Sequence, residues 1–407
     1  MNGTSSLPAA FSRLAWSNLA AQSAEQIGLA AAPLVAVLSL GAGAGATGLL
    51  QTVQTLPFLL LALPAGVLAD RTSRRAVMTG AEAVRAASLL AILVLASTGG
   101  LTLPLLAVLG FVGAAGTVAY SVAAPALVPA LVPSTALVAA NGRLELARTT
   151  AFVAGPALAG ALVGWAGAAP AFALATALSA WAVVLLAGLG EPVRSRATER
   201  RALRDIADAA RFVLGHDLLR PVVLTQLVFN AAFFALQAVY VPYAVARLGV
   251  SASIIGATLA AYGIGMVMGA LLTPRIIRAL PFGWVVALGP LCGLAAGMVM
   301  LATVWLPSAA LAGASFFLIG VGPIVWVIST ATLRQTVTPR AMLGRVSAIN
   351  IATYGARPLG SAVGALVGAA WGAEACLVIA AFGFLVQALT IVCSPVRRLE
   401  RQPEMAA

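Results

Sequence analysis

The feature that most constrains this chain is a succession of long apolar stretches, each about as long as a helix that crosses a lipid bilayer. The hydrocarbon core of a bilayer is about 30 Å thick, so a spanning helix needs about 20 mostly apolar residues. Twelve stretches meet this criterion: 14–40, 47–69, 76–97, 102–124, 142–166, 169–190, 219–246, 251–273, 283–305, 308–333, 344–370 and 373–394. The sequence therefore predicts an all-α polytopic membrane protein with 12 transmembrane helices.

The composition excludes most classes of soluble protein. Hydrophobic residues make up 61% of the chain and charged residues only 9%, whereas an average soluble domain carries about 25% charged residues. A water-soluble fold of this length could not cover its surface with so few charges, and a disordered chain requires low hydrophobicity. The three cysteines all lie in apolar stretches and do not form the framework of a secreted disulfide-rich domain. We therefore expect the lipid bilayer to surround this chain.

The basic residues predict the orientation of the chain in the membrane. All 24 are arginines, and the net charge is +12. If the N-terminal side is taken as the inner side, 20 of the 24 arginines lie at the inner ends and connections, one lies in an outer connection and three lie inside spans. Because basic residues are enriched in cytoplasmic connections, both termini are expected in the cytoplasm. The dispersed arginines do not predict a nucleic-acid partner.

The first span is the expected targeting signal of a multi-pass protein of the cell membrane. It is too long for a cleavable signal peptide, and no basic segment precedes it.

A charged stretch from Glu191 to Arg220 divides the chain near its middle. The spacing of its apolar residues is typical of an amphipathic helix at the inner membrane face; these residues are Leu203, Ile206, Ala210, Phe212 and Val213. We expect an N-terminal six-helix half over residues 1–190, a cytoplasmic linker over 191–218, and a C-terminal six-helix half with a short tail over 219–407.

The two halves share weak repeats. The pentapeptide GALVG occurs at residues 160–164 and again at 364–368, and Gly66, Leu68 and Arg75 recur 203 residues later as Gly269, Leu271 and Arg278. Several matches at nearly half the chain length indicate duplication, and parallel six-helix repeats are a recurrent architecture of membrane transporters.

The connection after the second span carries the clearest motif. It reads Gly66-Val-Leu-Ala-Asp70-Arg71-Thr-Ser73-Arg74-Arg75. This segment closely resembles motif A of the major facilitator superfamily, G-x-L-a-D-r-x-G-r-[RK], and it lies at the same place between spans two and three. Ser73 stands where the superfamily usually has glycine. The resemblance implies the major facilitator fold, with two pseudo-symmetric bundles of six helices.

Span five carries a second resemblance to the same superfamily. Its segment Gly155-Pro156-Ala-Leu-Ala-Gly160 is similar to the antiporter motif in shortened form, and these residues are expected to allow close helix packing. The stretches 124–160 and 211–221 resemble the branch that contains enterobactin exporters and macrolide efflux proteins. This resemblance implies export of an organic small molecule.

The resemblance implies that motif A is a conformational gate. Asp70 can meet the N-terminus of a neighbouring helix, where the dipole and unpaired N–H groups favour anions, in one conformational state and not in the other. Glu82 and Arg85 are three residues apart, suitable for a salt bridge that supports the gate. The expected gate residues are Gly66, Asp70, Arg71, Arg74, Arg75, Glu82 and Arg85. A static anchor of the inner face is the alternative.

Ionisable residues inside spans are costly and therefore mark function. Glu25 lies near the middle of span one, on the same helical face as Asn18 and Gln22, so this face is expected to line a cavity. Desolvation favours the protonated carboxyl group. Glu25 is therefore expected to couple proton entry to export or to pair with a cationic substrate. A fixed ion pair with an arginine of another span is the alternative.

Further polar residues inside spans are candidates for contact with a substrate. They are accompanied by aromatic residues, and apolar walls with a few polar groups suit an amphipathic organic ligand. These candidates are Gln54, Arg148, Gln226, Asn230, Asn350, Tyr354 and Arg357. Hydrogen bonds between helices are the alternative role.

Together, the sequence predicts a monomeric secondary transporter that exports a drug-like or siderophore-like molecule by proton antiport and alternating access. Import of a small metabolite, or a sensor or scaffold without transport activity, remain alternatives. The chain has no lysine and therefore no Walker A motif. No catalytic set of residues, metal or cofactor is expected, and His216 lies alone in the linker.

Overall fold

The structure is a computed structural model that describes residues 8–61, 64–65, 68, 72–133, 136–190, 202–339 and 342–403. These residues form helices, turns and loops and contain no strand. The helices with described bounds are α1 (Ala9–Leu38), α2 (Ala44–Leu60), α3 (Arg74–Ser97), α4 (Leu103–Leu131), α5 (Leu137–Ala166), α6 (Ala168–Ala187), α7 (Ala202–Gly215), α8 (Leu219–Ala246), α9 (Ala252–Ala279), α10 (Phe282–Ala302), α11 (Ala309–Val337), α12 (Leu343–Ala352) and α13 (Ala356–Val392). Two 3-10 turns cover Thr353–Gly355 and Pro395–Arg398.

The helices confirm the predicted fold class. In the described part of the chain, ten helical segments are long and apolar enough to cross a membrane. One of them contains α13, in which Gly372 has φ of 84° and ψ of 174°, a conformation that breaks a helix and that glycine adopts at little cost. This break lies between the predicted spans 344–370 and 373–394. The described part of α2 has 17 residues and lies within the predicted span 47–69 except for its first three residues.

Polar side chains define the starts of two helices. Ser73 precedes α3, and its Oγ accepts a hydrogen bond from the backbone N–H of Ala76 at 3.0 Å. Ser308 precedes α11 and accepts from the N–H of Leu311 at 3.4 Å. Each hydroxyl satisfies a backbone donor that has no partner inside its helix. The serine in place of the usual glycine of motif A is therefore the N-cap of α3.

The chain divides into two compact units. Unit 1 comprises residues 1–42, 53–198 and 251–260, and unit 2 comprises 43–52, 199–250 and 261–407. The first residues of α2 thus belong to unit 2, and the first residues of α9 belong to unit 1. The domain boundaries predicted from the sequence assign each of these helices to one half and stay a prediction.

In unit 1, α1 packs against α5 and α6, and α3 packs against α4 and α6. An apolar cluster of buried residues in this unit includes Phe11, Leu14, Met78 and Leu186. Lipid tails are as apolar as leucine, so close van der Waals packing holds helices together in a bilayer. This packing aligns polar groups of α1, α3, α4 and α6 toward one another.

In unit 2, α8 packs extensively against α13, and α10 packs against α11 and α13. Gly360 and Gly364 of α13 lie so close to the backbone of α8 that a Cβ atom at either position would collide with it. Small residues at such positions allow two helices to approach closely. This contact sets the side chains of α8 beside those at the start of α13.

The repeated pentapeptide occupies comparable places in the two units. In unit 1, Gly160 packs against Ala252 and Gly256 at the start of α9. In unit 2, Ala365 packs against Gly48 in the first turns of α2. Both GALVG segments therefore contact the first turns of another helix of the same unit.

Helix α7 lies within the charged stretch that divides the sequence. Ala209 and Val213 are buried, and Val213 packs with Leu219 and with Val346 of α12. Phe212 and Ala210 are half-buried, while the side chains of Leu203 and Ile206 lie outside the description. Near its end, at Phe212 and Val213, the apolar face of α7 thus packs against α12 within unit 2.

Candidate functional site

Unit 1 contains a buried cluster of three charged side chains. Arg85 Nη1 lies 2.7 Å from Glu82 Oε1, and Arg85 Nη2 lies 3.8 Å from Glu25 Oε2. The exposed fractions of the side chains are 0% for Glu82, 4% for Arg85 and 16% for Glu25. Two carboxylates therefore share one guanidinium in a place that water barely reaches.

Four helices position this cluster. Glu82 and Arg85 are neighbours on α3, and Glu25 comes from α1. Arg85 donates hydrogen bonds to the Ala21 carbonyl oxygen of α1 at 3.1 Å and to Thr117 Oγ1 of α4 at 2.7 Å. Buried charges require such partners to offset their loss of hydration. The Arg85 guanidinium is consequently held from three sides.

Glu82 has a further partner on α6. Ser179 Oγ donates a hydrogen bond to Glu82 Oε2 at 2.8 Å, and Ser179 is fully buried. The sequence analysis did not single out Thr117 or Ser179, because small hydroxyl residues are common in spans and neither has a distinctive spacing. With both partners in place, the Glu82 carboxylate is fixed.

The structure places Glu25 of α1 beside Arg85 of α3. This is the arrangement expected if Glu25 forms an ion pair with an arginine of another span, the alternative role considered from the sequence. The longer separation and greater exposure distinguish Glu25 from Glu82. Gln22 is half-buried on the same face of α1. Asn18 is buried, and its Nδ2 donates to the Leu144 carbonyl oxygen at 3.3 Å, so this amide bridges α1 and α5.

Gln54 is also buried, against α4. A Cβ atom at Gly110 would lie 2.5 Å from Gln54 Nε2, so this glycine leaves room for the amide. Within the described part of the chain, Gln54 Oε1 has no hydrogen-bond partner. The amide is therefore a polar group in the interior of unit 1.

Arg148 forms a local ion pair on α5. Its Nη2 and Nε donate to the two carboxylate oxygens of Glu145 at 2.6 and 3.0 Å, and its guanidinium lies 5.4 Å from the Phe152 ring centroid. More than a third of the Arg148 side chain is exposed. This two-point contact compensates the charge of Arg148 locally.

Unit 2 contains an arginine packed among aromatic rings. The Arg357 guanidinium lies 4.0 Å from the Tyr354 ring centroid and 5.2 Å from that of Phe234. Arg357 Nε donates to Asn230 Oδ1 at 3.3 Å, and Asn230 Nδ2 donates to the Gln226 carbonyl oxygen at 2.9 Å. Arginines inside spans face a bundle interior or a water-filled cavity. The arginine-aromatic cluster (Arg357, Tyr354, Phe234 and Asn230) is thus a half-buried polar feature of unit 2.

A row of stacked rings adjoins this cluster. Phe233 stacks on Phe229 and on Tyr262, with centroid distances of 5.8 Å in both pairs, and it meets Phe234 edge to face at 5.5 Å. Phe229 was missed in the sequence, because a single phenylalanine in an apolar span carries no signal. Asn350 is half-buried and its carbonyl oxygen accepts a hydrogen bond from Thr353 Oγ1 at 2.6 Å.

Motif A is described only in part. Gly66, Asp70 and Arg71 lie outside the described residues. Arg74 and Arg75 begin α3 and are half-buried. Arg75 Nη1 donates to the Leu189 carbonyl oxygen at 2.6 Å, just after the end of α6, where a cation stabilises the helix dipole. The expected link from Glu82 and Arg85 to Asp70 stays a prediction.

The antiporter-like segment packs against helices on two sides. A Cβ atom at Gly155 would collide with Gln26 Cβ of α1, and one at Gly160 would lie 2.7 Å from Gly256 Cα of α9. Pro156 lies inside α5. The close approaches at Gly155 and Gly160 permit no larger side chain without displacement of a neighbour.

The spans and the buried charges define a multi-pass helical membrane protein of the transporter class. A model of the family described as transmembrane secretion effector, within the major facilitator superfamily, matches residues 10–406. The chain belongs to this family.

The chain is also similar to individual transporters of known sequence. The chain is 31% identical over 258 residues to the "Uncharacterized MFS-type transporter y4rN" of Sinorhizobium fredii, covering 59% of this chain and 60% of that protein. It is 28% identical over 239 residues to the "Multidrug efflux pump Tap" of Mycobacterium tuberculosis, covering 56% of each. The matched region therefore spans little more than half the length of these relatives. Tap of Mycolicibacterium fortuitum is 29% identical over 325 residues, with 75% of this chain and 76% of that protein covered.

Solved structures share the fold. The nucleoside transporter NupG has a TM-score of 0.74 and 12% identity, with 95% of this chain and 99% of that chain covered. A D-xylose-proton symporter has a TM-score of 0.71 and 13% identity, with 95% and 98% covered. These likenesses establish the major facilitator fold, as the resemblance at motif A implied.

Proposed function

We propose that this protein exports an amphipathic organic molecule, drug-like or siderophore-like, by proton antiport and alternating access. The family match supports transport, and the relatives named multidrug efflux pumps support the outward direction. We also propose that it acts as a monomer in the cell membrane with both termini in the cytoplasm. The distribution of its arginines supports this orientation.

The observation that carries the proposal is the ratio of two carboxylates to one guanidinium in the buried cluster of unit 1. With both carboxylates ionised, the three groups carry one excess negative charge in a weakly hydrated interior, which is unfavourable. Binding of one proton neutralises the cluster. Transfer of this proton in and out of the cluster is the proposed coupling step.

Glu25 is the proposed proton carrier. Glu82 is fully buried and fixed by Arg85 and Ser179, whereas Glu25 is partly exposed and lies farther from Arg85. A carboxyl group in this position can exchange protons with water while the Arg85–Glu82 pair stays intact. Gln22 and Asn18 are proposed neighbours on the same face of α1.

The arginine-aromatic cluster of unit 2 is the proposed recognition element for substrate. Arginine offers a flat cation that pairs with carboxylate or phosphate groups, and the adjoining row of rings offers flat apolar faces. Gln54, Arg148, Gln226 and Asn350 are further proposed substrate contacts. Affinity from apolar walls and orientation from a few polar groups is the usual pattern for organic ligands.

Motif A is the proposed gate. Arg75 holds the end of α6, and we propose that Gly66, Asp70, Arg71 and Arg74 make and break their contacts as the protein alternates between states. Glu82 and Arg85 link the proposed gate helix α3 to the proton site.

Export is tested in bacterial cells with and without the protein, exposed to a panel of antibiotics and fluorescent dyes. We expect lower dye accumulation in cells that carry the protein, and we expect a protonophore to abolish the difference. Glu25→Gln should abolish proton-dependent export. Glu374→Gln is the matched control, because Glu374 lies in a half-exposed pair with Arg247, and it should keep export.

Other outcomes contradict the proposal. Protonophore-sensitive export by Glu25→Gln would exclude Glu25 as the proton carrier. Higher accumulation in cells that carry the protein would indicate import. Dye binding to the purified protein without transport in inside-out or right-side-out vesicles would indicate a sensor or scaffold.

A further inference from the structure

The segment that follows α13 is fastened to the beginning of α10. The backbone N–H groups of Phe282 and Gly283 donate to the carbonyl oxygens of Glu400 and Leu399 at 3.2 and 2.7 Å. The first N–H groups of a helix have no partner inside the helix, and here the tail supplies two. The tail is therefore a structural part of unit 2.

Side chains secure the same contact. Val396 is fully buried and packs in a cluster with Phe282, Val286 and Ile391. At Gly283, a Cβ atom would collide with the carbonyl oxygens of Val396 and Arg397, so only glycine lets the tail approach so closely. The backbone of residues 395–400 is held in place at one end of unit 2.

This fixed backbone presents a group of exposed arginines. Arg397, Arg398 and Arg401 are exposed, and the Arg397 guanidinium lies 5.7 Å from the Trp284 ring centroid. Exposed Arg275 and Arg278 lie near the end of α9, which the chain joins to α10 through a short turn. Glu400 is the acidic residue described among these five arginines. Positive charge is therefore in clear excess in this group.

We propose that this tail arginine patch (Arg397, Arg398 and Arg401, with Trp284, Arg275 and Arg278) binds the phosphate headgroup of an anionic phospholipid. The proposal rests on the proposed orientation, which places the patch at the cytoplasmic leaflet. Anionic lipids are found there, and nearby arginines attract them electrostatically. Guanidinium groups bind phosphate through two parallel hydrogen bonds. Tryptophan prefers the level of the headgroups, so Trp284 places Arg397 at the height of the phosphates.

The patch differs from arginines that serve only to orient the chain. Orientation requires a number of basic residues near the ends of spans and no particular arrangement. Here the backbone beneath three arginines is fixed by hydrogen bonds and by a buried valine, and one guanidinium lies beside a ring. Because this backbone is already ordered, the protein loses less conformational entropy when a headgroup binds.

The test uses the purified full-length protein in nanodiscs of phosphatidylcholine, with and without phosphatidylglycerol. Retention of phosphatidylglycerol is measured by native mass spectrometry, and its apparent affinity is measured by titration in detergent. We expect Arg397→Gln and Arg398→Gln each to weaken phosphatidylglycerol binding about fivefold, the equivalent of about 1 kcal/mol. Arg143→Gln, which changes an exposed arginine of unit 1, is the matched control and should leave binding unchanged.

Three results would overturn the proposal. Equal weakening by Arg143→Gln would indicate general surface attraction. Displacement of phosphatidylglycerol by free inorganic phosphate at a comparable concentration would indicate a site for soluble anions. Unchanged phosphatidylglycerol binding in the variants would show that the patch is not a lipid site. Thermal unfolding in phosphatidylcholine alone reports whether the variants are folded, and none of these measurements depends on transport.

Discussion

Arg85 and Glu82, neighbours three residues apart on α3, form an ion pair of 2.7 Å in which both side chains are almost fully buried. The pair formed by Arg148 and Glu145 has the same spacing and a similar length of 2.6 Å, but its side chains are 36% and 53% exposed. Loss of one partner leaves an unpaired charge, and its cost depends on access to water. The two pairs therefore allow burial to be tested separately from sequence spacing.

We predict that Arg85→Gln lowers the free energy of unfolding by about 3–5 kcal/mol, because Glu82 would remain buried without its cation. Arg148→Gln should cost about 0–1 kcal/mol, as is usual for an exposed pair. Thermal unfolding in detergent, followed by tryptophan fluorescence, compares the two variants with the parent protein.

The double variant Glu82→Gln with Arg85→Gln tests whether the loss of stability in Arg85→Gln comes from the unpaired Glu82 carboxylate. If the cost arises from an unpaired carboxylate, the second change should restore part of the stability. Equal effects of Arg85→Gln and Arg148→Gln would contradict the importance of burial in this cluster.

The Arg85–Glu82 pair could be predicted from the sequence, but the rest of its cluster could not. The pair depends only on the pitch of one helix. Thr117, Ser179 and Glu25 meet it through the rotation of three other helices about their axes. Spans that are apolar all round carry no periodicity that fixes this rotation.

Elements that depend on local sequence were predicted well. The length and composition of the apolar stretches gave the spans, and Gly372 lies at the predicted join between the last two. The fastening of the tail to α10 was not predicted, because it depends on backbone hydrogen bonds from Phe282 and Gly283 to residues more than a hundred positions away. Backbone groups leave no pattern in the sequence.

We predict that Gly160→Ala destabilises the protein by about 1–3 kcal/mol, because the added methyl group would lie 2.5 Å from the Ala252 carbonyl oxygen and 2.7 Å from Gly256 Cα. Gly80→Ala is the matched control in α3, where a Cβ atom meets nothing within 4 Å. It should be neutral or stabilise by about 0.5–1 kcal/mol, since alanine favours the helix. A smaller effect of Gly160→Ala than of Gly80→Ala in thermal unfolding would show that the close approach is not required.

We predict that Arg357→Gln reduces export of anionic organic compounds about tenfold and affects cationic compounds much less. The change removes a charged hydrogen-bond donor beside Tyr354, a loss of about 1.5–3 kcal/mol for a bound anion. Arg357→Lys keeps the charge but not the flat, stacked guanidinium, so it should give an intermediate effect. Dye efflux with anionic and cationic probes measures this selectivity. Arg211→Gln, an exposed arginine of α7, serves as control, and uniform losses for both kinds of probe would contradict a role of Arg357 in charge recognition.

We predict that Val396→Ala destabilises the protein by about 2 kcal/mol. Val396 is fully buried where the tail packs on α10, and removal of two methyl groups loses their burial and leaves a cavity. Val378→Ala makes the same chemical change on α13 at a side chain that is 53% exposed, so it should change stability by less than about 0.5 kcal/mol. Thermal unfolding of both variants in the same detergent provides the comparison. The effect of Val396→Ala should also appear as faster proteolysis of the tail, because weaker packing exposes residues 395–400 more often. Equal melting temperatures and equal proteolysis for the two variants would show that the tail contributes nothing to the stability of unit 2.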